Sequence, residues 1–257
     1  MVRPRRPAAA AGARPARRPL PGSVAGCAPA RAVGLAGAGR EAVVRGLAVR
    51  ALAAAALVAA APVLALLALA NWLTTGRVLF RQVRVGRGLE PFVVLKFQTM
   101  VDGAQHGSTV TVDRDPRITR LGRALRLLKL DELPQLVNIV RGEMGFVGPR
   151  PLTPNEVSAV PRRVAEQVYR VAPGLTGISA FAFADEERLL VTAADPQRTY
   201  FDDVLPRKMA LELAYARRRT WRSDLAIVVL TPLAPFSAAV RRFALRRLVP
   251  GWDGADA

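Results

Sequence analysis

The stretch Leu130-Asp131-Glu132-Leu133-Pro134-Gln135-Leu136 places two adjacent carboxylates shortly before a proline and an apolar run. Proline is tolerated in a helix only within the first turn. The spacing of the apolar residues predicts one helical face, formed by Leu133, Leu136, Val137 and Val140. Asp131 and Glu132 are therefore expected at or just before the start of this helix.

The position of this Asp-Glu pair is typical of a site that handles anions. The first turn of a helix offers free backbone N–H groups and the positive end of the helix dipole, which favour a phosphate neutralised by a metal ion. Consecutive helical residues point about 100° apart, so Asp131 and Glu132 are expected to have different tasks. One can attack while the other handles a proton or steadies a cation. A simple acidic cap is the alternative, and the pair by itself favours this cap; the surrounding sequence is what favours a catalytic site.

The composition indicates an anionic partner. The 257 residues carry a net charge of +18 and are 51% hydrophobic, with a sequence pI of about 11.6 and a mean hydropathy of +0.19. Such a charge suits nucleic acid, a lipid surface or a phosphorylated substrate. Its combination with high hydrophobicity favours a membrane. Cys27 is the only cysteine, which excludes an internal disulfide and a cysteine-based metal site.

Residues 1–40 consist mainly of Ala, Arg, Pro and Gly, which predicts a disordered basic tail. The first 50 residues hold ten arginines against one acidic residue, Glu41. Beside a membrane, such a segment is expected to bind anionic lipid. Nucleic acid is the alternative partner, but no aromatic residue lies among these arginines to stack on bases. We therefore expect no nucleic acid partner.

Residues 41–76 are predicted to form a membrane helix, because no charged residue occurs between Arg50 and Arg77. As a straight helix, residues 51–73 would reach about 34 Å, enough for a bilayer core of about 30 Å. Pro62 lies in the middle, where it removes a backbone hydrogen bond. Arginines flank both ends, which disfavours a full span. This pattern favours a re-entrant helix bent at Pro62, and a single-pass helix remains the alternative.

Two strand-like runs, residues 78–85 and 91–97, predict a β-hairpin that ends near Lys96. Lys96 is either a solvated edge residue or a phosphate ligand. A polar loop is expected over residues 101–116. An amphipathic helix is predicted over residues 118–130, with a basic stripe whose last member, Arg126, leads into Asp131. Further helices are predicted over 156–170 and 205–219, with a turn at 173–177.

With these motifs assembled, the chain resembles the bacterial sugar transferase family in its minimal form. These are the monotopic phosphoglycosyl transferases that load the first sugar onto polyprenyl phosphate. The resemblance runs from about Arg45 to Thr231. It is carried by ordered strings at matching separations: Phe80-Arg81-Gln82 with Arg84-Val85-Gly86, Lys96-Phe97 with Thr99-Met100, Asp115 to Arg123, Leu130 to Leu136, Gly148-Pro149-Arg150-Pro151-Leu152, Pro173 to Gly177 and Asp224-Leu225.

The resemblance implies a mostly α monotopic membrane protein with a small β-hairpin and interfacial amphipathic helices. Its cytoplasmic α/β catalytic domain is expected over residues 77–235, followed by a basic amphipathic tail over 236–257. The implied location is the cytoplasmic face of the bacterial plasma (inner) membrane. The implied reaction moves a sugar-1-phosphate from a UDP-sugar to undecaprenyl phosphate, which initiates exopolysaccharide or other glycan synthesis.

The resemblance also implies roles for individual residues. Asp131 matches the nucleophile that forms a covalent phosphosugar intermediate, and Glu132 matches the second acid of the family's pair. Mg²⁺ is expected at Asp131, with Lys96, Arg126 and Arg150 around the substrate phosphates.

Three positions depart from the family pattern, namely Gln98 for Arg, Val49 for Asp, and Ala61 for the Ser that usually precedes the membrane proline. The first affects a phosphate or nucleotide contact, and the other two affect the membrane helix. Alternatives from other classes are a non-catalytic basic membrane scaffold, a nucleic-acid-binding protein, and a phosphohydrolase that uses Asp131. A scaffold or nucleic-acid binder would give no reason for Lys96, the Asp-Glu pair and Gly-Pro-Arg-Pro to occur together.

Overall fold

The structure is a computed structural model that describes residues 35–101 and 115–252. Most of the predicted basic tail (1–40) and most of the predicted loop (101–116) therefore lie outside the described residues. By its internal contacts the chain forms two units, Met1–Arg40 and Glu41–Ala257, and the packing described below is that of the second unit.

The described part of the chain is mostly helical, as predicted, with two small sheets. Its helices and strands are α1 Leu35–Thr75, β1 Leu79–Val85, β2 Pro91–Phe97, α2 Arg120–Leu127, α3 Gln135–Arg141, β3 Gly145–Val147, α4 Pro154–Ala159, α5 Arg162–Val168, β4 Gly174–Thr176, α6 Ser179–Ala182, α7 Glu186–Val191, α8 Pro196–Thr199, α9 Leu205–Ala216, α10 Trp221–Leu230 and α11 Ala238–Leu248. Short 3₁₀ helices cover Arg87–Leu89, Leu130–Glu132 and Thr231–Phe236, and a π-helical turn covers Tyr200–Val204.

The predicted β-hairpin is confirmed. Strands β1 and β2 pair antiparallel, with Leu79 opposite Phe97 and Val85 opposite Pro91. This register places Lys96 opposite Phe80, one residue before the end of β2. The hairpin also supports the active region, because the backbone N–H of Val85 donates to the carbonyl oxygen of Leu152 over 2.8 Å.

Helix α1 includes the predicted membrane segment. Val44–Thr75 is long enough to cross a membrane and contains an 18-residue window with a mean hydropathy of 2.5, of which only 6% is buried. The helix continues through Pro62, so the structure shows no interruption at this residue. One contact with the rest of the chain lies on the N-terminal side of Pro62, where Ala53 is buried beside residues of β2 and α3. A second lies near the C-terminal end of the helix, where the buried Asn71 donates to the Val78 carbonyl over 2.9 Å. The re-entrant course through a membrane stays a prediction.

A second sheet was not predicted. Strand β3 pairs parallel with β4, with Gly145 opposite Gly174 and Val147 opposite Thr176. The prediction of a simple turn at residues 173–177 is therefore wrong. Strands of three residues are too short to show an alternating pattern, and glycine hides them further. This pairing joins the two glycine-proline segments of the chain.

Two helical predictions need correction. The helix predicted over 118–130 is shorter, because Thr119 caps its start by accepting from the N–H of Gly122, and Lys129 adopts a left-handed φ of 58° after its end. The helix predicted over 156–170 is two helices, α4 and α5, with Pro161 between them. A residue before proline disfavours helical geometry, so Val160 ends α4.

Helix α3 begins just after Pro134, as predicted, but its buried face differs from the predicted one. Leu136 and Ile139 are buried together with two polar residues, Gln135 and Asn138. The predicted face fails because Asn138, a polar residue, forms the contact with β2.

Candidate active site

Asp131 and Glu132 lie in the 3₁₀ turn Leu130–Glu132 between α2 and α3, as the proline-based prediction requires. Lys129 precedes the turn in a left-handed conformation and redirects the chain after α2. Asp131 is 7% exposed, and the side chain of Glu132 is 14% exposed. Both carboxylates are thus removed from bulk water, which makes their charge partners decisive.

Glu132 is surrounded by cations. Lys96 Nζ donates to Glu132 Oε1 over 2.8 Å, and Arg150 Nη1 lies 3.8 Å from the same oxygen. Burial alone would raise the pKa of Glu132, but the charges of Lys96, Arg150 and Lys129 outweigh burial and hold this pKa well below its ordinary value. Glu132 is therefore an anion whose charge is already compensated within the protein.

Asp131 has the opposite electrostatic balance. Burial, and next the negative charge of Glu132, raise the pKa of Asp131, while Lys96, Arg126 and Lys129 oppose the rise. Its carboxylate accepts no hydrogen bond from the part of the chain that the structure describes. The two acids are adjacent in sequence but differ in environment: Glu132 is held in place, and Asp131 has oxygens available for another atom.

The structure brings most of the predicted site residues together. Lys96 and Arg150 both approach Glu132, and Arg126 lies close enough for its charge to lower the pKa of Asp131. The other two arginines of the basic stripe on α2, Arg120 and Arg123, are exposed. Pro62 belongs to α1 and is not part of this cluster.

The turn Gly148–Leu152, which carries Arg150, is fixed by hydrogen bonds at almost every residue. Gly148 N–H donates to the Thr176 carbonyl, and Gly174 N–H donates to the Pro149 carbonyl, each over 3.0 Å. The Tyr169 hydroxyl donates to the carbonyl of Arg150 over 2.7 Å. Leu152 N–H donates to the same hydroxyl over 3.2 Å. The backbone beneath the half-exposed Arg150 side chain is thus held rigidly.

Asn138 is a residue that the sequence did not single out. It is fully buried, its Oδ1 accepts from Leu95 N–H over 3.1 Å, and its Nδ2 donates to the Val93 carbonyl over 2.7 Å. These bonds attach α3 to β2 at Val93 and Leu95 and so fix the backbone next to Lys96, which follows Leu95. No pattern in the sequence marks Asn138, since a lone asparagine in a helix is usually solvated.

A second polar group lies behind the turn. Arg84 Nη1 donates to Glu156 Oε2 over 3.3 Å and to the Pro151 carbonyl over 3.1 Å. The Tyr200 hydroxyl donates to Glu156 Oε1 over 2.5 Å. Arg84 is part of the strand sequence that resembles the family, which is the one signal that pointed to it.

The carboxylates present suit Mg²⁺ that binds together with a phosphate substrate. Within the described residues, no cluster of three or more His, Cys, Asp or Glu side chains forms a self-sufficient metal site. Mg²⁺ is commonly bound through one or two carboxylates, with water and substrate phosphates completing its shell. Because Lys96 already holds Glu132, Asp131 is the residue with oxygens left for a cation.

Comparison with known proteins shows the family to which the chain is similar. The family model described as "Bacterial sugar transferase" matches residues 41–238. A 117-residue alignment, 44% of this chain, is 39% identical to the UDP-N-acetylgalactosamine-undecaprenyl-phosphate N-acetylgalactosaminephosphotransferase of Aeromonas hydrophila and covers 28% of that protein. The undecaprenyl-phosphate glucose phosphotransferase of Komagataeibacter xylinus is 40% identical over 182 residues, 65% of this chain and 31% of the relative.

A third relative is the UDP-glucose:undecaprenyl-phosphate glucose-1-phosphate transferase of Caulobacter vibrioides. It is 43% identical over 120 residues, which is 45% of each protein. The chain therefore spans less than half the length of each of these three relatives.

Proposed function

Because this chain belongs to the bacterial sugar transferase family, we propose that it transfers a sugar-1-phosphate from a UDP-sugar to undecaprenyl phosphate. The names of the relatives support the general reaction, since each names undecaprenyl phosphate and a sugar or sugar phosphate. The observation that carries the proposal for this chain is the unequal pair: Glu132 is neutralised by Lys96, and Asp131 has no such partner among the described residues.

In the first step, an Asp131 carboxylate oxygen attacks the phosphorus nearest the sugar. The bond between this phosphorus and the bridging oxygen breaks, and UMP leaves with the electron pair. A phosphosugar remains on Asp131 as an acyl phosphate. An ordinary carboxylate is ionised at neutral pH, so the attack needs no base to remove a proton. Burial and Glu132 raise the pKa of Asp131, and the charges of Lys96, Arg126 and Lys129 oppose this rise, which favours the ionised form that attacks.

In the second step, a phosphate oxygen of undecaprenyl phosphate attacks the same phosphorus. The bond to Asp131 breaks, the carboxylate is released, and undecaprenyl-diphosphate-sugar forms. Glu132 forms ion pairs with Lys96 and Arg150 and thereby holds both cations beside the reacting phosphorus. Its low pKa argues against a role as a proton donor near neutral pH.

The cations of the site offset repulsion between Asp131 and the diphosphate. Lys96, Arg126 and Arg150 lie around the pair and can contact phosphate oxygens. Mg²⁺ held by Asp131 would supply further positive charge to the diphosphate and to the leaving group. The protein's own residues then orient the phosphorus, with the rigid turn Gly148–Leu152 fixing the position of Arg150.

The proposed place of the enzyme is the cytoplasmic face of the bacterial inner membrane, with α1 in the lipid. Further apolar side chains are exposed on α10, the 3₁₀ helix that follows and α11, where they are accompanied by exposed arginines. The apolar residues are Trp221, Leu225, Val229, Leu233, Phe236 and Phe243. This combination suits the interface of an anionic membrane. Labelling of Cys27 from outside intact cells by an impermeant maleimide would contradict the re-entrant course.

The test of the reaction is UMP release from UDP-glucose and UDP-N-acetylgalactosamine, measured with and without undecaprenyl phosphate. We expect sustained UMP release only with the lipid, and at most one UMP per enzyme without it. Sustained release of free phosphosugar without lipid would support a phosphohydrolase instead. No UMP release from any UDP-sugar under either condition would contradict the proposed function.

A further inference from the structure

Glu212 is a buried acid on the far side of the turn Gly148–Leu152, on helix α9. It is 4% exposed, and its Oε1 has no hydrogen-bond partner within the described residues. It borders a cavity of about 50 Å³ beneath the turn. The cavity is lined by Gly148, Pro149, Val168, Val171, Glu212, Tyr215, Ala216 and Arg219. A carboxylate oxygen without a donor is costly in such a place, so its presence needs an explanation.

The carboxylate lies close to Gly177, the residue that follows β4. A Cβ placed on Gly177 would lie 3.5 Å from Glu212 Oε1 and 2.3 Å from the carbonyl oxygen of Gly148. Nothing larger than glycine therefore fits at position 177. The charge of Glu212 also acts on Tyr169, the residue whose hydroxyl holds Arg150 and Leu152. Glu212 is thus coupled to the backbone that carries Arg150.

The charged groups that face Glu212 are few and mostly engaged elsewhere. Arg219 makes bonds of 2.9 to 3.0 Å to Asp224 and a bond of 2.8 Å to the Val147 carbonyl. Lys208 is paired with Glu186. Burial raises the pKa of Glu212 to about 7, against the lowering effect of Ser179, Arg219 and Lys208. Tyr169 and Tyr215 are the remaining titratable side chains beside it, and burial raises the pKa of each.

We propose that Glu212 is a positioning residue whose neutral form keeps the turn Gly148–Leu152 closed, with Arg150 beside Glu132. Its ionised form loosens the turn. The inference rests on the proposed function, because it concerns the residue that presents Arg150 to the substrate phosphates. It assigns to the enzyme a pH control that is separate from Asp131 and Glu132.

The chemistry of the site gives the direction of the effect. Oε1 has no hydrogen-bond partner within the described residues, and a buried oxygen without a donor is better tolerated in a neutral acid than in a carboxylate. Ser179 donates to the carboxylate and favours its ionised form, but Oε1 still lacks a donor. An ionised Glu212 therefore gains a donor or water for this oxygen by opening the cavity that Gly148 and Pro149 line. A folded pKa near 7 and an unfolded one near 4.3 mean that the closed turn loses stability as the pH rises through 7.

Hydrogen exchange tests this coupling without any substrate. The full chain in detergent or nanodiscs is compared with Glu212→Gln, which stays neutral, and with the exposed control Glu166→Gln, at pH 6 and pH 8. Peptides that contain Gly148 and Gly174 report the turn, and intrinsic exchange rates cancel between variants at one pH. Linkage predicts that the ratio of wild-type to Glu212→Gln exchange rises about tenfold from pH 6 to pH 8. An unchanged ratio would overturn the proposal.

The pH profile of UMP release then separates positioning from a purely structural role. Between pH 6 and pH 8, wild-type and Glu166→Gln kcat/KM are expected to fall about tenfold more than that of Glu212→Gln. Ser179→Ala, which removes a group that lowers this pKa, should move the fall to higher pH and covers the case in which Glu212→Gln does not fold. Identical profiles in wild type and Glu212→Gln would overturn the positioning role. Absence of UMP release in all variants would instead refute the proposed function, and exchange alone would decide the coupling.

Discussion

Glu132 and Glu212 are two buried carboxylates near the turn Gly148–Leu152, and their environments shift their pKa values in opposite directions. Glu132 lies beside Arg150, at what we call the front of the turn, and Glu212 lines the cavity beside Gly148 and Pro149, at what we call its rear. Burial pushes both pKa values upward. Glu132 has Lys96 at 2.8 Å and Arg150 at 3.8 Å, which bring its pKa below the ordinary value. Glu212 is near Arg219 and Lys208, but these are engaged with other acids, and its pKa stays at about 7.

The difference shows that uncommitted cations, rather than depth of burial, decide the charge of an acid in this fold. The front of the turn collects positive charge around Glu132, which suits a diphosphate substrate. The rear is a small cavity lined by Gly148, Pro149 and apolar side chains together with Glu212, Tyr215 and Arg219, and Arg219 is already paired with Asp224. One short segment of chain is therefore supported by packing on one side and presents a guanidinium on the other.

The largest expected effect comes from removing the nucleophile at the front. Asp131→Asn should reduce transfer of the sugar phosphate from the UDP-sugar to background, because an amide cannot form the acyl phosphate. The fold should persist, since no described hydrogen bond depends on this carboxylate. The measurement is undecaprenyl-diphosphate-sugar formation, with Glu166→Gln as the exposed control. Activity close to wild type in Asp131→Asn would refute the mechanism.

Removal of divalent metal should also stop turnover. The front holds two adjacent acids and must accept a further anion, so we expect EDTA to abolish UMP release and added Mg²⁺ to restore it. Hydrogen exchange in the turn Gly148–Leu152 should not change on addition of EDTA, because Glu212 is not part of the metal site. Full activity in the presence of excess EDTA would remove the metal from the proposal.

Lys96→Met should make the front resemble the rear. Without its closest cation, Glu132 becomes a buried acid dominated by desolvation, and its pKa is expected to rise. We expect kcat/KM for UMP release to fall about 10²-fold or more, as for loss of one electrostatic contact to a transition state. Lys96→Arg keeps the charge and should lose less. Equal kinetics for wild type and Lys96→Met would mean that this ion pair is unnecessary.

The smallest effect is on stability at the rear. Between pH 6 and pH 8, the wild type should lose about 1.4 kcal/mol relative to Glu212→Gln, because its raised pKa stabilises the fold only while the group is protonated. For a chain of this size, that corresponds to a melting temperature lower by about 3–6 °C. Tryptophan fluorescence during heating measures it. A wild type that gains stability over the same range would reverse the sign that we assign.

The sequence predicted the local features of the front and missed the contacts that complete it. The hairpin followed from alternating residues, and the position of Asp131 and Glu132 followed from Pro134. The pair Lys96–Glu132 joins residues 36 positions apart, and only the family resemblance suggested that they meet. Such pairing depends on the whole chain, so no local pattern contains it.

Of the rear, the sequence predicted the helix over 205–219, which is α9 Leu205–Ala216, but not the contacts that this helix makes. Strands β3 and β4 have three residues each, and a parallel pair between distant segments leaves no periodic signal. Glu212 occurs in an ordinary helical sequence, where an acid is usually solvated. Asn138 is likewise a polar residue in an ordinary helical sequence, and its burial explains why the predicted face of α3 was wrong. Polar residues that stabilise a fold from inside resemble surface residues until the tertiary contacts are known.

The central claim is that Asp131 carries the phosphosugar, and mass spectrometry of the digested protein tests it most directly. The full chain is mixed with UDP-glucose or UDP-N-acetylgalactosamine and Mg²⁺, without undecaprenyl phosphate, and then digested. We expect a mass increase of one sugar phosphate on the peptide that contains Asp131. This adduct should be absent in Asp131→Asn and should disappear from the wild type when undecaprenyl phosphate is added. Lipid-dependent transfer with ternary-complex kinetics and no adduct at any time would contradict it.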